Sequence, residues 1–149
     1  MTEEKKTKVG IKLDHEMIFK CNLGFEKLQE IYIDETLEEK EDLWGPDAAR
    51  LLGMALLGCL SASFILCLQK RNLELDDLRA EAEIIIAKNE KKLLRVKEIN
   101  VDLIPESKDP SVLKRIEQCK KFFEQYCTIT ESVRAGIDVN LNININDGG

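Results

Sequence analysis

Hydrophobic positions recur with two different periods along this chain. Between Val9 and Asp34, short alternating runs are punctuated by Gly10, Asn22 and Gly24, and Leu28, Ile31 and Ile33 lie on the last of them. Alternation bounded by turn residues predicts two or three antiparallel strands. "GPD" at 45–47 breaks that pattern and starts a helix, with Pro46 in its first turn. Nothing stops this helix before Lys70, and at 1.5 Å per residue its length is roughly 36 Å. Next comes a long hairpin. Leu78, Ala80, Ala82, Ile84 and Ile86 share one face, "KNEKK" at 88–92 turns the chain, and Leu94 and Val96 hold one parity of the return strand. Ile99, Val101 and Leu103 hold the other, which predicts a bulge near Lys97–Glu98. A second helix follows over residues 107–127. Asp109 is its N-cap, Pro110 its first residue, and Val112, Ile116, Cys119, Phe123 and Tyr126 its buried stripe. Residues 128–136 form a short helical piece closed by Gly136. Ile137, Val139, Leu141, Ile143 and Ile145 then alternate with polar residues as a final strand. The order β-β-(β)-α-β-β-α-β is that of an α+β fold. It forms one domain over residues 1–149, with tails at 1–7 and 146–149.

The first helix sets the largest constraint. Leu51 to Leu68 is eighteen residues without a charge, which meets the lower bound for a membrane span. Amphipathic strands on both sides need an apolar partner, however, and a helix that is apolar all round also serves as a soluble core. One small sheet cannot cover a helix of that length. The pattern therefore predicts a homodimer in which two such helices pack together, with Ala55, Gly58 and Ala62 allowing close approach. No membrane partner is expected.

Charge narrows the partners. The net charge is −6, whereas a nucleic-acid surface calls for a basic stripe. The N-terminus "MTEEKKTKVG" has no apolar stretch of the signal-peptide kind, so a cytoplasmic location is expected. Trp44 reads first as a loop anchor and second as a pocket wall, His15 as a surface strand residue, residues 35–42 as a solvated acidic loop, and Phe122, Phe123 and Tyr126 as core, with a pocket before Cys127 the alternative place for one of them.

Five cysteines remain: Cys21, Cys59, Cys67, Cys119 and Cys127. Their number is odd, they contain no CxxC pair, and the one histidine, His15, is distant in sequence. Neither a structural disulfide framework nor zinc is expected. Cys59 and Cys67 lie about 12 Å apart along one helix, too far for a disulfide. Cys21, Cys67 and Cys119 read as small inert hydrophobes.

Cys59 and Cys127 differ from these in their surroundings. "GPDAARLLGMALLGCLSAS" at 45–63, followed by "YCTITESVRAGIDVNLNI" at 126–143, resembles the OsmC/Ohr family of thiol-dependent peroxidases. The element order resembles that family over nearly the whole chain. The resemblance implies antiparallel sheets packed on a long central apolar helix in an intertwined homodimer. It also implies that Cys59 attacks an organic hydroperoxide and becomes a sulfenic acid, and that Cys127 resolves it as a Cys59–Cys127 disulfide. A small dithiol of the lipoyl type would then reduce the pair, with no metal or other cofactor.

The family's thiolate is activated by an arginine from the N-terminal strands and a glutamate at the helix start. This chain has no arginine before Arg50, and Arg50 stands where the glutamate belongs, beside Asp47. Arg50, Lys20 and Lys27 are the candidate substitutes. On a continuous helix, the nine residues from Arg50 to Cys59 place them on opposite faces, so Arg50 reaches its own Cys59 only through a break near Gly53, or else acts across the dimer interface. A second reading follows, in which the dimer lacks efficient peroxidase chemistry and serves as a small-molecule-binding or redox-sensing protein.

Overall fold

The computed structural model describes residues 4–24, 30–36, 42–146 and 148. Lys27, Leu28 and most of the acidic run 35–42 lie outside them. The elements are β1 (Gly10–His15), β2 (Ile18–Asn22), β3 (Ile31–Asp34), α1 (Ala48–Gln69), β4 (Asp77–Lys88), β5 (Leu94–Glu106), α2 (Pro110–Cys119), a 3-10 turn (Phe123–Tyr126) and α3 (Thr128–Ala135). The architecture is α+β, with a three-stranded antiparallel sheet in the order β1-β2-β3 and a two-stranded β4-β5 sheet. Two compact units result: Met1–Met54 with Glu83–Asn100, and Ala55–Ala82 with Val101–Gly149.

In the first unit, β1 and β2 pair Ile11 with Cys21 and Leu13 with Phe19, and the register shifts between Leu13 and His15. β2 and β3 pair Phe19 with Ile33. Asp34 closes this sheet onto the start of α1. Buried, its carboxylate accepts hydrogen bonds from the Thr36 N–H and hydroxyl and from the Trp44 N–H, while its own N–H donates to the Pro46 carbonyl. The Trp44 ring meets His15 and Tyr32 edge-on at 4.9 and 5.1 Å, so it anchors the loop as expected. α1 then starts with two side-chain caps: Asp47 accepts the Arg50 N–H at 2.9 Å and Glu35 accepts the Ala48 N–H.

At the other end of the hairpin, the turn is built by Asn89. Its side chain accepts the N–H groups of Lys91 and Leu93, and Lys92 takes a left-handed φ of 65°. Leu78, Ala80, Ala82 and Ile84 are half-buried as their alternation predicts, whereas Ile86 is exposed because burial changes parity at Ile84–Ile85. In β5, Leu94 to Glu98 are all exposed, and half-buried alternation begins at Ile99. The parity change near Lys97–Glu98 thus marks where burial begins.

The second unit holds the main core: Phe64, Cys67 and Leu68 of α1 against Val112, Ile116 and Cys119 of α2, with Leu73, Leu75, Leu103 and Phe123 packed around them. Asp109 caps α2 through the Ser111 N–H at 2.9 Å, with Pro110 at the helix start. α1 ends where Asn72 adopts φ 55° and the Leu73 N–H returns to the Leu68 carbonyl. Buried Arg115 donates to the Cys67 carbonyl from Nε at 3.3 Å and Nη2 at 3.0 Å. A cation thereby meets carbonyls at the negative end of the α1 dipole.

Three expectations are corrected here. Cys67 and Cys119 are not inert hydrophobes but a disulfide, their Cα atoms 6.1 Å apart. They sit on different helices that the core brings together, a proximity no sequence spacing encodes. By closing a 52-residue separation, the bond stabilises the fold by about 2–4 kcal/mol through the unfolded chain. Second, α2 stops at Cys119 and does not continue to Cys127. Phe122 leaves helical geometry with φ −145° and ψ −3°, which lets Phe123 pack on Phe64, and Tyr126 is 61% exposed. Third, residues 137–145 form no strand. Ile137, Val139, Leu141, Ile143 and Ile145 are 61% to 91% exposed, because no sheet edge pairs with them among the described residues.

Gly45 tests the first unit. A Cβ there would stand 1.8 Å from the Tyr32 carbonyl oxygen, so Gly45→Ala must displace β3. The expected cost is about 1–3 kcal/mol, read as a lower midpoint in urea unfolding. An unchanged midpoint would show that the loop is not anchored as described.

Candidate active site

Two sulfurs meet in the second unit. Cys59 is half-buried on the middle of α1, and Cys127 is fully buried at the N-cap of α3. They come together because α2, the 3-10 turn and α3 fold back along α1. The first turn of α3 joins them, with Ile129 in contact with the Cys59 sulfur and Thr130 in contact with the Cys127 sulfur.

Donors gather around the pair. The Ile129 N–H points at the Cys59 Sγ at 3.5 Å. The Cys127 thiol donates to the buried Thr130 Oγ1 at 3.1 Å, and the same hydroxyl turns to donate when the sulfur ionises. The Ser63 side chain, one turn beyond Cys59 on α1, also bonds Cys127. Burial pushes the Cys59 thiol up, and its bond to Cys127 pushes the same way, against the N–H groups of Ile129 and Thr130. Burial also pushes Cys127 up. There the hydrogen bonds from Cys59, from the side chain and backbone of Thr130, and from Ser63 outweigh it, so the Cys127 thiol ends below its ordinary value. Of the two thiols, Cys127 is therefore the one that ionises more readily, because more donors converge on it.

The other predicted residues lie elsewhere in the chain's contacts. Arg50 is exposed and forms an ion pair with Asp47 at 2.7 Å, and Lys20 forms one with Glu30 at 2.7 Å. α1 is unbroken from Ala48 to Gln69, so there is no break near Gly53. Cys21 is a free, half-buried thiol in β2. Among the described residues no cluster of His, Cys, Asp or Glu could hold a metal ion.

Ser63 and Thr130 were not singled out from the sequence, although their spacing carried a signal. Ser63 is four residues after Cys59 on a helix, and Thr130 is three after Cys127 at a helix start. Both spacings return a side chain to the same helical face. Phe122 and Tyr126, expected in the core, are exposed and line a pocket of about 430 Å³ with Ser63, Cys67, Lys70 and Phe123.

With this geometry in view, comparison with known proteins defines the class. Residues 38–142 match the OsmC-like protein family, and the chain belongs to that family. Its fold is correspondingly OsmC-like. It is similar to an OsmC-like protein of Mycoplasma pneumoniae, with 16% identity, a TM-score of 0.71 and 89% of each chain covered. An OsmC-like protein of unknown function from Vibrio cholerae aligns at 13% identity and a TM-score of 0.68, over 87% of this chain and 94% of that one. The organic hydroperoxide resistance protein OhrB of Bacillus subtilis aligns at 15% identity and a TM-score of 0.60, over 94% and 98%. No curated protein matches.

Thr130→Val tests the electrostatics of the pair. It removes a donor to the charged sulfur while conserving volume, so the Cys127 pKa rises. Since a hydrogen bond to a charged group contributes about 1.5 kcal/mol or more, alkylation of the pair at neutral pH slows by about tenfold. Unchanged rates across pH would exclude Thr130 as a stabiliser of the thiolate.

Proposed function

We propose that this protein is a thiol-dependent peroxidase that reduces organic hydroperoxides through Cys59 and Cys127. The observation that carries the reading is the pair of free sulfurs held by adjacent residues at the start of α3, Ile129 on Cys59 and Thr130 on Cys127. Cys59, the more accessible sulfur, attacks the distal oxygen of the hydroperoxide. The Cys127 thiolate draws the Cys59 proton as the attack proceeds and passes it to the departing alkoxide, which leaves as an alcohol while Cys127 becomes a thiolate again. Cys127 then attacks the Cys59 sulfenic acid and expels hydroxide. Overall, one thiol, one thiolate and one hydroperoxide become a Cys59–Cys127 disulfide, an alcohol and hydroxide. A small dithiol, the lipoyl type included, restores the pair by exchange. In this scheme Cys127, with Thr130 and Ser63, does the work of the family's arginine. Neighbouring structures such as the Bacillus subtilis hydroperoxide resistance protein support the substrate class. The family's reductants suit a reducing cytoplasm.

The working unit is a homodimer. α1 buries one stripe, including Leu56, Leu60, Phe64 and Cys67. Met54, Gly58, Ala62 and Leu66 form a second stripe on exposed positions, and a Cβ added at Gly58 meets nothing within 4 Å. An apolar stripe with small residues at its centre suits a second copy of the same helix. α1 has the length and hydropathy of a span, 2.3 on average over its most apolar window, but two faces that serve a core and a partner leave no role for lipid. The apolar side of residues 137–145 also lacks cover and fits addition to a sheet of the second copy.

Two measurements test this. With cumene hydroperoxide and dihydrolipoamide, turnover is expected in the wild type and lost in Cys59→Ser, while Cys127→Ser forms a single sulfenic acid more slowly than wild type and stops there. Equal slow rates in all three would instead support a binding or redox-sensing dimer. In sedimentation without detergent, the wild type is expected as a dimer and Ala62→Glu as a monomer; a monomeric wild type would exclude the shared helix interface.

A further inference from the structure

The proposed chemistry leaves a second pair of cysteines unused. Cys67 lies eight residues after Cys59 on α1, and its partner Cys119 lies eight residues before Cys127. Between these two pairs, the segment 119–127 runs antiparallel to α1. Cys119 is bonded to Cys67, the Phe123 ring meets Phe64 edge-on at 5.0 Å, and the turn that starts at Cys127 meets Cys59 through the Ile129 N–H at 3.5 Å, with Ser63 acting on the Cys127 thiol. The segment is itself tightly turned. The Lys121 N–H donates to the Gln118 carbonyl, Phe122 to Cys119, and Cys127 to Glu124. Arg115 fixes the same end by its two bonds to the Cys67 carbonyl.

We propose that the Cys67–Cys119 disulfide is a second redox site, whose closure sets the register in which Cys127 meets Cys59. The inference rests on Cys59 and Cys127 being the reacting pair. Register matters because one residue along a helix is a rotation of about 100° and a rise of about 1.5 Å. A slip of that size carries Cys127 away from both Cys59 and Ser63. With the Cys67–Cys119 bond closed, the slip is barred covalently at the far end of the contact row. With it open, Phe64–Phe123 and Arg115 hold the row without a covalent tie. Closing one disulfide therefore lowers the conformational cost of closing the other, and the coupling is reciprocal.

The site has an oxidant and a reductant within the same chemistry. Two thiols and one hydroperoxide give the Cys67–Cys119 disulfide, an alcohol and water. A dithiol reopens the bond by exchange and leaves as its own disulfide. Cys67 lines the pocket of about 430 Å³ that Ser63 also lines, and this is the side from which a small dithiol meets the bond. Cys119 is fully buried behind it. Exposure to hydroperoxide would thus close the clamp and ready the reacting pair for further turnover.

The test measures the Cys59–Cys127 disulfide directly, with no need for peroxidase turnover. Full-length protein is equilibrated in buffers of reduced and oxidised glutathione, where one oxidised glutathione and two thiols give one protein disulfide and two reduced glutathiones. Differential alkylation and peptide mass spectrometry then count each pair. Cys67→Ala/Cys119→Ala is expected to lower the equilibrium constant for the Cys59–Cys127 bond at least about tenfold. Ile18→Ala, which destabilises the other compact unit, is expected to keep the wild-type value. A second measurement needs no variant: in partly oxidised wild type, Cys59–Cys127 should be closed more often in chains whose Cys67–Cys119 is closed. The same constant in the double variant, an equal fall in Ile18→Ala, or independent closure in wild type overturns the proposal alone. Failure of Cys59 and Cys127 to pair in wild type overturns it together with the peroxidase mechanism.

Discussion

Removing the Phe64–Leu68 turn of α1 from water is the constraint on which the second unit depends. Phe64 and Leu68 are almost fully buried, and Cys67 nearly so, and burying a large apolar side chain contributes about 1.5–3 kcal/mol. Only a helix carrying its own apolar stripe can cover that turn, and Val112, Ile116 and Cys119 of α2 supply it. Once α2 lies there, its last residue is beside Cys67 and its arginine is beside the last carbonyls of α1. The disulfide and the Arg115 cap follow from the packing. So does the path of residues 120–127, which must descend along α1 and deliver Cys127 to Cys59.

The same packing decides which groups surround the Cys59–Cys127 pair. The sulfur at the base of the site is sheltered from water, where a thiolate is costly unless donors meet it. The start of α3 brings the Ile129 and Thr130 N–H groups and the Thr130 hydroxyl, and α1 brings Ser63. The Thr130 and Ser63 groups favour ionisation of Cys127, whereas the Ile129 N–H serves Cys59, the more exposed sulfur. Arg50 and Lys20 are meanwhile engaged with Asp47 and Glu30.

The uncovered surfaces have a common cause as well. A chain with one long apolar helix and few strands has more apolar surface than its own layers can hide. The stripe from Met54 to Leu66 and the alternating residues 137–145 remain outside, and the latter pair with no strand among the described residues. Strand periodicity reports which residues want one face buried, not which molecule provides the face.

Local signals alone determined much of this protein. The three N-terminal strands, the start and unbroken run of α1, the Asn89 turn, the Asp109–Pro110 cap and the Gly136 stop are each encoded by neighbours a few residues apart, because periodicity and capping are short-range. The pairing of the short motifs around Cys59 and Cys127 was legible through family resemblance. What only the tertiary structure decided lies at long separation. Cys67 joins Cys119 across 52 residues, α2 yields at Cys119 so that Phe123 can pack on Phe64, and Thr130 and Ser63 converge on one sulfur. Each depends on where two helices cross. That crossing is set by the sum of many weak apolar contacts, which no single stretch of sequence contains.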